Sequence, residues 1–337
     1  MQTLIDQSEL PKILRDFIAY KLTVQGRSKK TMDEYALDLR TFLRWLSRTR
    51  AGLDVSDRLE MQKTDVSSVS DELIASVTPD EIYAFLFYTL DDRHNQTASR
   101  ARKLSALKSF YKYATVTLHL CETDPTANIE GPQKKKALPK FLTLEESEAL
   151  LEAVRSDTES KTTARDYCIL TLFLNCGMRL SELCGIDLSD IDRNMESLRV
   201  TGKGAKERLI YLNDSCREAL RDWLAVRNTD PEIRDRNALF LSSRHTRISN
   251  KTVQWMVYKY LDAAGLGNKS LSTHKLRHTA ATLMYQSGEV DIRVLKDILG
   301  HEQLNTTQIY THVANEHMEE AMEKNPLAKV KPKKSDS

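Results

Sequence analysis

Six polar side chains in the second half of the chain are of types that suit one reaction. Arg179 stands in Gly177-Met-Arg-Leu-Ser-Glu-Leu183, directly after apolar text. Lys203 lies between Gly202 and Gly204, where the flanking glycines let the backbone approach a ligand closely. His274 and Arg277 are three residues apart in His274-Lys-Leu-Arg-His278, a spacing that puts both on one helix face near its anion-attracting N-terminus. His301 follows Leu299-Gly300, and Tyr310 stands in Thr306-Thr-Gln-Ile-Tyr-Thr-His312. Each has an ordinary alternative: a surface Arg179–Glu182 pair, a solvated turn lysine, a helix-capping histidine with a surface arginine, a histidine on the last helix carbonyls, and a tyrosine filling a core or interface. Together they describe chemistry at one phosphodiester. Guanidiniums hold the non-bridging oxygens, a lysine protonates a leaving alkoxide, and histidines move a proton or donate hydrogen bonds. A tyrosine hydroxyl attacks phosphorus and forms a covalent ester. Two fixed cations offset the charge growing on phosphorus, so this scheme needs neither metal nor other cofactor.

Helices must position these groups. In the first half, Ser28-Lys-Lys-Thr31 leads into the stripe Tyr35, Leu39, Phe42, Leu43 and Leu46. Thr78-Pro-Asp-Glu81 is a capping box that opens a helix over Ile82–Leu90. A third helix is predicted over Thr97–Ala114, with Leu104, Leu107, Phe110 and Tyr111 inward. These segments predict a helical bundle over residues 1–121. Residues 122–142 lack periodicity and gather Pro125, Gly131, Pro132, Pro139 and Lys134, Lys135 and Lys136, the composition of a basic linker. Thr143-Leu-Glu-Glu146 is another capping box, so a second domain is predicted over 143–325, followed by a basic, disordered tail over 326–337. The apolar run Tyr167–Met178 is too short to span a bilayer and reads as a buried helix. Ser197–Val200 and Glu207–Leu212 flank a glycine turn and predict a hairpin. Helices follow over Ser215–Arg227, Ser249–Ala264, Thr273–Ser287 and Asp291–Leu299, with Gly288 and Gly300 at C-cap positions, and Asn305 opens a further short helix. The fold class is mainly α, with one small antiparallel hairpin.

The chain has 337 residues, 40% hydrophobic and 29% charged, which excludes wholesale disorder and is comfortable for two domains. Its formal net charge of +2 means that affinity for a polyanion would have to come from local clusters. Two such clusters lie on the predicted solvent side of the first domain. One includes Lys29, Lys30, Arg40 and Arg44, and the other Arg100, Arg102, Lys103 and Lys108. With Lys134, Lys135 and Lys136 they are candidate phosphate contacts, against the ordinary reading of a solvated helix face. The five cysteines are odd in number and form no CxxC pair, which reads as reduced, partly buried thiols of a cytoplasmic protein. Residues 1–10 carry Asp6 and Glu9 and no apolar core, so neither a secretory signal nor membrane insertion is expected.

These motifs in this order resemble the tyrosine recombinase (phage integrase) family, and the close text is similar to its Xer branch. The resemblance runs from about residue 10 to 325. It is specific in the second domain and rests on layout in the first, which would be the SAM-like core-binding domain. It implies that Tyr310 attacks the scissile phosphate and leaves a 3′-phosphotyrosyl bond and a free 5′-hydroxyl. It implies that Lys203 is the general acid, that Arg179 and Arg277 clamp the phosphate, and that His274 is the acid/base partner. His301 would hydrogen-bond a non-bridging oxygen, and Glu182 would orient the arginine.

The resemblance further implies site-specific recombination of double-stranded DNA through a Holliday junction. The assembly would be a tetramer, a dimer of dimers, of this chain alone or with a paralogous recombinase. A septal DNA translocase would be a further partner, and the setting would be the cytoplasmic nucleoid. The segment around Ala314–Glu323 would pack on a neighbouring subunit, and the two domains would clamp the duplex. Chromosome-dimer resolution is the expected task. The alternatives are the integrase or transposase of a mobile element, a type IB topoisomerase, or a catalytically idle DNA-binding protein. The lack of text ahead of the first domain for an arm-binding domain of the lambda type leans towards a Xer-like resolvase or a simple element-borne integrase.

Overall fold

A computed structural model describes residues 6–132, 140–202, 206–269, 271–287 and 290–300, except for the side chain of Ile292. The chain divides into two compact units, Met1–Lys136 and Ala137–Ser337. Lys203, His301, Tyr310, Lys134, Lys135, Lys136 and Gly288 lie outside the described residues, as do the predicted elements beyond residue 300.

The first unit is built from α1 (Lys12–Thr23), α2 (Lys29–Arg50), two short helices α3 (Arg58–Lys63) and α4 (Asp71–Ala75), α5 (Pro79–Asp91) and α6 (Thr97–Lys112). Ser28 caps α2 by accepting from the Thr31 N–H at 3.3 Å. Thr78 and Glu81 close both arms of the capping box on α5, with proline at its first position. Leu39, Phe42, Leu43 and Leu46 bury the predicted stripe, and Tyr35 packs at its edge. The core is aromatic: Phe42 meets Phe85 at 5.1 Å and Phe17 meets Phe110 at 5.5 Å, both edge to face. The α-helix expected over Thr97–Ala114 ends at Lys112, and Tyr113–Thr117 continues as a π-helical turn. That wider turn brings the Tyr113 ring against Phe17 and Tyr20, at 5.5 and 5.0 Å.

The second unit comprises α7 (Leu144–Arg155), α8 (Thr163–Cys176), α9 (Leu180–Gly185), β1 (Ser197–Thr201), β2 (Glu207–Tyr211), α10 (Asp214–Asn228), α11 (Asn250–Ala263), α12 (Thr273–Gln286) and α13 (Ile292–Leu299). The centre is α8, which packs against α7, α10 and α12. From Cys168 to Leu174 every residue is buried, because these neighbours cover that stretch on all sides. The buried run expected over Tyr167–Met178 stops being helical at Cys176. Gly177 takes the left-handed conformation, and Met178 is buried beyond the helix end. β1 and β2 pair antiparallel, from Ser197 opposite Tyr211 to Thr201 opposite Glu207. The Gly202 N–H donates to the Lys206 carbonyl at 2.7 Å and closes the ladder below the tip. Asp291 caps α13, which ends in Gly300 and lays Leu295 and Leu299 against Ala281 of α12. All five cysteines are buried free thiols. No helix among the described residues is long and apolar enough to cross a membrane.

Candidate active site

The end of α8, the start of α9, strand β2, the start of α12 and the end of α13 meet at one place. Arg179 precedes α9, and Glu182 reaches back to it. Glu182 Oε2 accepts from the Arg179 backbone N–H at 2.7 Å, while Oε1 accepts from Arg179 Nη1 at 2.7 Å. This is the expected i,i+3 pair, yet it is no surface pair: the Glu182 side chain is 0% exposed and that of Arg179 37%. Arg179 Nη2 donates to the Gly300 carbonyl at 3.0 Å. Arg277, on α12, is itself buried. It donates through Nη1 to the Gly177 carbonyl at 2.8 Å and through Nη2 to the Leu299 carbonyl. The two predicted phosphate ligands therefore converge on adjacent main-chain carbonyls at the C-terminal end of α13, the negative end of its dipole. The next residue in the chain is His301.

The base of the hairpin lies against the same group. A methyl built at Gly202 would stand 3.4 Å from Glu182 Oε1 and 4.0 Å from Arg179 Nη1. Gly202, the residue before Lys203 in sequence, thus stands directly over the Arg179–Glu182 pair.

His274 is exposed one turn before His278 on α12, and their Nε2 atoms are 3.1 Å apart. One ring must donate and the other accept, so at least one is neutral. Partial desolvation of the His274 ring, then the charges of Arg277 and Arg179, hold it below the ordinary imidazole range. Burial, then His274 and Arg277, bring His278 down to about 4. Both rings are therefore neutral at neutral pH, the state in which an imidazole can accept a proton.

Sequence reasoning missed Arg208. It stands on β2, where its Nη1 and Nη2 donate to Glu182 Oε1 and Oε2 at 2.7 and 3.0 Å. Burial alone would raise the Glu182 carboxyl. The hydrogen bonds from Arg208 and from the Arg179 N–H and guanidinium outweigh it and leave the group below its usual range. The only sequence signal was strand alternation, which places Arg208 on one face with Ile210. It was obscured because the apolar neighbours Leu209 and Tyr211 point outward.

The candidate phosphate contacts of the first unit are unequal. Lys29 and Lys30 are exposed on the first turn of α2. Arg40 is bonded to Glu9, and Arg44 Nε donates to the Thr64 carbonyl at 3.0 Å. Arg100 and Lys108 are half-buried on α6. Arg102 lies 3.1 Å from Asp38 Oδ2 and 3.7 Å from Glu34. Lys103 corrects its expected place on the solvent side. It is buried in the seam between α2 and α6, with Nζ 2.6 Å from Asp38 Oδ1, because Asp38 has no other partner as close. Among the described residues no cluster of histidine, cysteine, aspartate or glutamate could hold a metal ion.

The sequence profile of the phage integrase family matches residues 140–317, and that of the phage integrase N-terminal SAM-like domain matches residues 56–116. The tyrosine recombinase XerC of Caldanaerobacter subterraneus subsp. tengcongensis is 46% identical over 318 residues, which are 94% of this chain and 88% of that protein. The tyrosine recombinase XerD of Proteus mirabilis is 35% identical, over 93% of this chain and 92% of its own. The fold is similar to that of the XerH site-specific recombinase bound to its difH substrate in a pre-cleavage complex. That structure has a TM-score of 0.69 and 22% identity, and the match covers 95% of this chain and 97% of that one. The chain belongs to the phage integrase family of tyrosine recombinases, enzymes that break and rejoin DNA.

Proposed function

We propose that this chain is a site-specific recombinase of the Xer type, that its task is chromosome-dimer resolution, and that the cluster around Glu182 is its phosphate site. One observation carries the assignment. Arg179 and Arg277 come from elements some 100 residues apart, and their guanidiniums end on the adjacent carbonyls of Leu299 and Gly300. A scissile phosphate placed there would receive N–H donors from both cations, with His274 on the first turn of α12 beside them.

In the proposed reaction Tyr310 Oη attacks phosphorus, forms the 3′-phosphotyrosyl ester and expels the 5′-oxygen. Lys203 delivers the proton to that oxygen. His274 and His301 hydrogen-bond or exchange protons with the phosphoryl group. In the return step a 5′-hydroxyl from the partner strand attacks the ester and regenerates the phenol. The ester retains the energy of the phosphodiester, so rejoining draws on no nucleotide. Two rounds pass through a Holliday junction within a tetramer on two sites, in which the segment after residue 313 packs on a neighbouring subunit. Partners would be double-stranded DNA, further copies or a paralogous recombinase, and a septal translocase, all at the cytoplasmic nucleoid. Lys29 and Lys30 are the first-unit cations best exposed for phosphate contact.

The test is a nicked suicide duplex built on DNA that this protein enriches from a random-sequence pool. A covalent protein–DNA adduct should form in EDTA and be absent with Tyr310→Phe. Persistence of the adduct in that variant would overturn the assignment of the nucleophile. Relaxation of supercoiled plasmid without regard to sequence would point instead to a topoisomerase.

A further inference from the structure

Arg208 lies outside the six polar groups that the proposed reaction uses, and its surroundings give it a definite task. Each of its three guanidinium nitrogens already has a partner: Nη1 and Nη2 on the two oxygens of Glu182, and Nε 3.3 Å from the Ile298 carbonyl. Its side chain is 16% exposed, against 37% for Arg179. Arg179 thus faces outward and Arg208 lies behind it, with the fully enclosed carboxylate between them.

The electrostatics of that arrangement matter to the reaction. A glutamate paired with Arg179 alone would neutralise it and compete with phosphate for its N–H groups. With a second guanidinium forked across both oxygens, each carboxylate oxygen has a donor besides those of Arg179. The triad then keeps one net positive charge. Arg208 also buttresses the end of α13. A methyl built at Gly300, where φ is +61°, would stand 3.1 Å from Arg208 Cδ. Three separate pieces therefore rest on this one side chain: strand β2, the Glu182–Arg179 pair, and the helix end that precedes His301 in sequence.

We propose that Arg208 is a positioning residue for Arg179: by occupying both oxygens of Glu182 it fixes the Arg179 guanidinium in place and leaves its charge available to the scissile phosphate. The inference rests on the reading of Arg179 as a phosphate ligand, and the experiment separates the two. The full chain is tested in single-turnover cleavage of the enriched, nicked duplex, with site affinity by mobility shift and thermal stability measured alongside.

Arg179→Ala tests the site itself, and a wild-type cleavage rate there would overturn that reading whatever Arg208 does. With Arg179→Ala slow, Arg208→Met should cleave about 10- to 100-fold more slowly than wild type while site affinity stays within about threefold. Arg208→Lys should recover part of the rate, because an ammonium restores the charge but not the two-oxygen fork. Glu182→Gln combined with Arg208→Met should cleave faster than Arg208→Met alone, since the neutral amide no longer cancels Arg179. A residue that merely supports the fold would give losses that add. Cleavage by Arg208→Met within twofold of wild type, or additive slowing in the double variant, overturns the proposal. If Arg208→Met fails to fold, Arg208→Lys carries the test: slowed cleavage at unchanged affinity supports it and a wild-type rate sinks it.

Discussion

Asp38 in the first unit and Glu182 in the second are both buried carboxylates set between two cationic side chains, yet they lie on opposite sides of the ordinary carboxylate range. Asp38 crowds both partners onto Oδ1, with Lys103 Nζ at 2.6 Å and Arg102 Nη2 at 3.2 Å. Among the described residues Oδ2 has no hydrogen bond, although Arg102 is 3.1 Å away. Burial therefore dominates and raises the Asp38 carboxyl despite the Lys103 hydrogen bond. Glu182 is equally enclosed, but its two oxygens share four N–H donors among the described residues. There the hydrogen bonds outweigh burial and the group is lowered. What separates the two is chiefly how many donors reach both oxygens in good geometry, since burial and the number of cations are alike; the charge of Glu34 beside Arg102 adds to the rise at Asp38. In the first unit a cation is spent in closing a helix seam. In the second a surplus of cation is held in place by an anion that cannot move.

The largest effect expected from this contrast is on stability. Glu182→Ala removes the shared anion and leaves two guanidiniums facing each other, which should cost about 3–5 kcal/mol in urea unfolding. Replacing the Asp38–Lys103 pair by Asp38→Leu and Lys103→Met should leave stability unchanged or raise it by about 1–4 kcal/mol. A loss at Asp38 matching that at Glu182 would remove the distinction.

The pH dependence should also have opposite signs. Glu182 has a lowered folded value, so its contribution is complete above the unfolded carboxylate value of about 4.3 and is lost as pH falls below it. Asp38 has a raised folded value, so its contribution is present at acid pH and is lost as pH rises through that value. Chemical shifts of the two carboxyl carbons would read both titrations directly.

His278 sharpens the same comparison. Its ring is held neutral in the fold, so stability should fall as pH drops from about 6.5 towards 4, and His278→Gln should flatten that part of the curve. The smallest effect belongs to Gly300→Ala. Its left-handed conformation should cost about 1–2 kcal/mol, seen as a lower Tm. A further slowing of cleavage is expected from the displaced Arg208.

Local features were legible along the chain. The Thr78–Glu81 and Thr143–Glu146 boxes open α5 and α7, and Gly300 ends α13 in the left-handed conformation. The bulk of the mainly helical fold with one hairpin could be read from such signals, because a cap or a stripe joins residues three or four positions apart in one chemistry. The order of the arginine, histidine and tyrosine motifs likewise pointed to phosphodiester chemistry and to the family. The short helices α3 and α4 went unread, since a few residues carry too little periodicity to register. Beyond the i,i+3 pair Arg179–Glu182, which cation meets which anion was settled by tertiary packing. Lys103 and Asp38 are 65 residues apart in sequence, and Arg208 and Glu182 are 26 apart. Whether a charge is solvated, consumed or held in reserve depends on how many donors the surrounding packing brings within about 3 Å of it, and neither composition nor spacing encodes that distance.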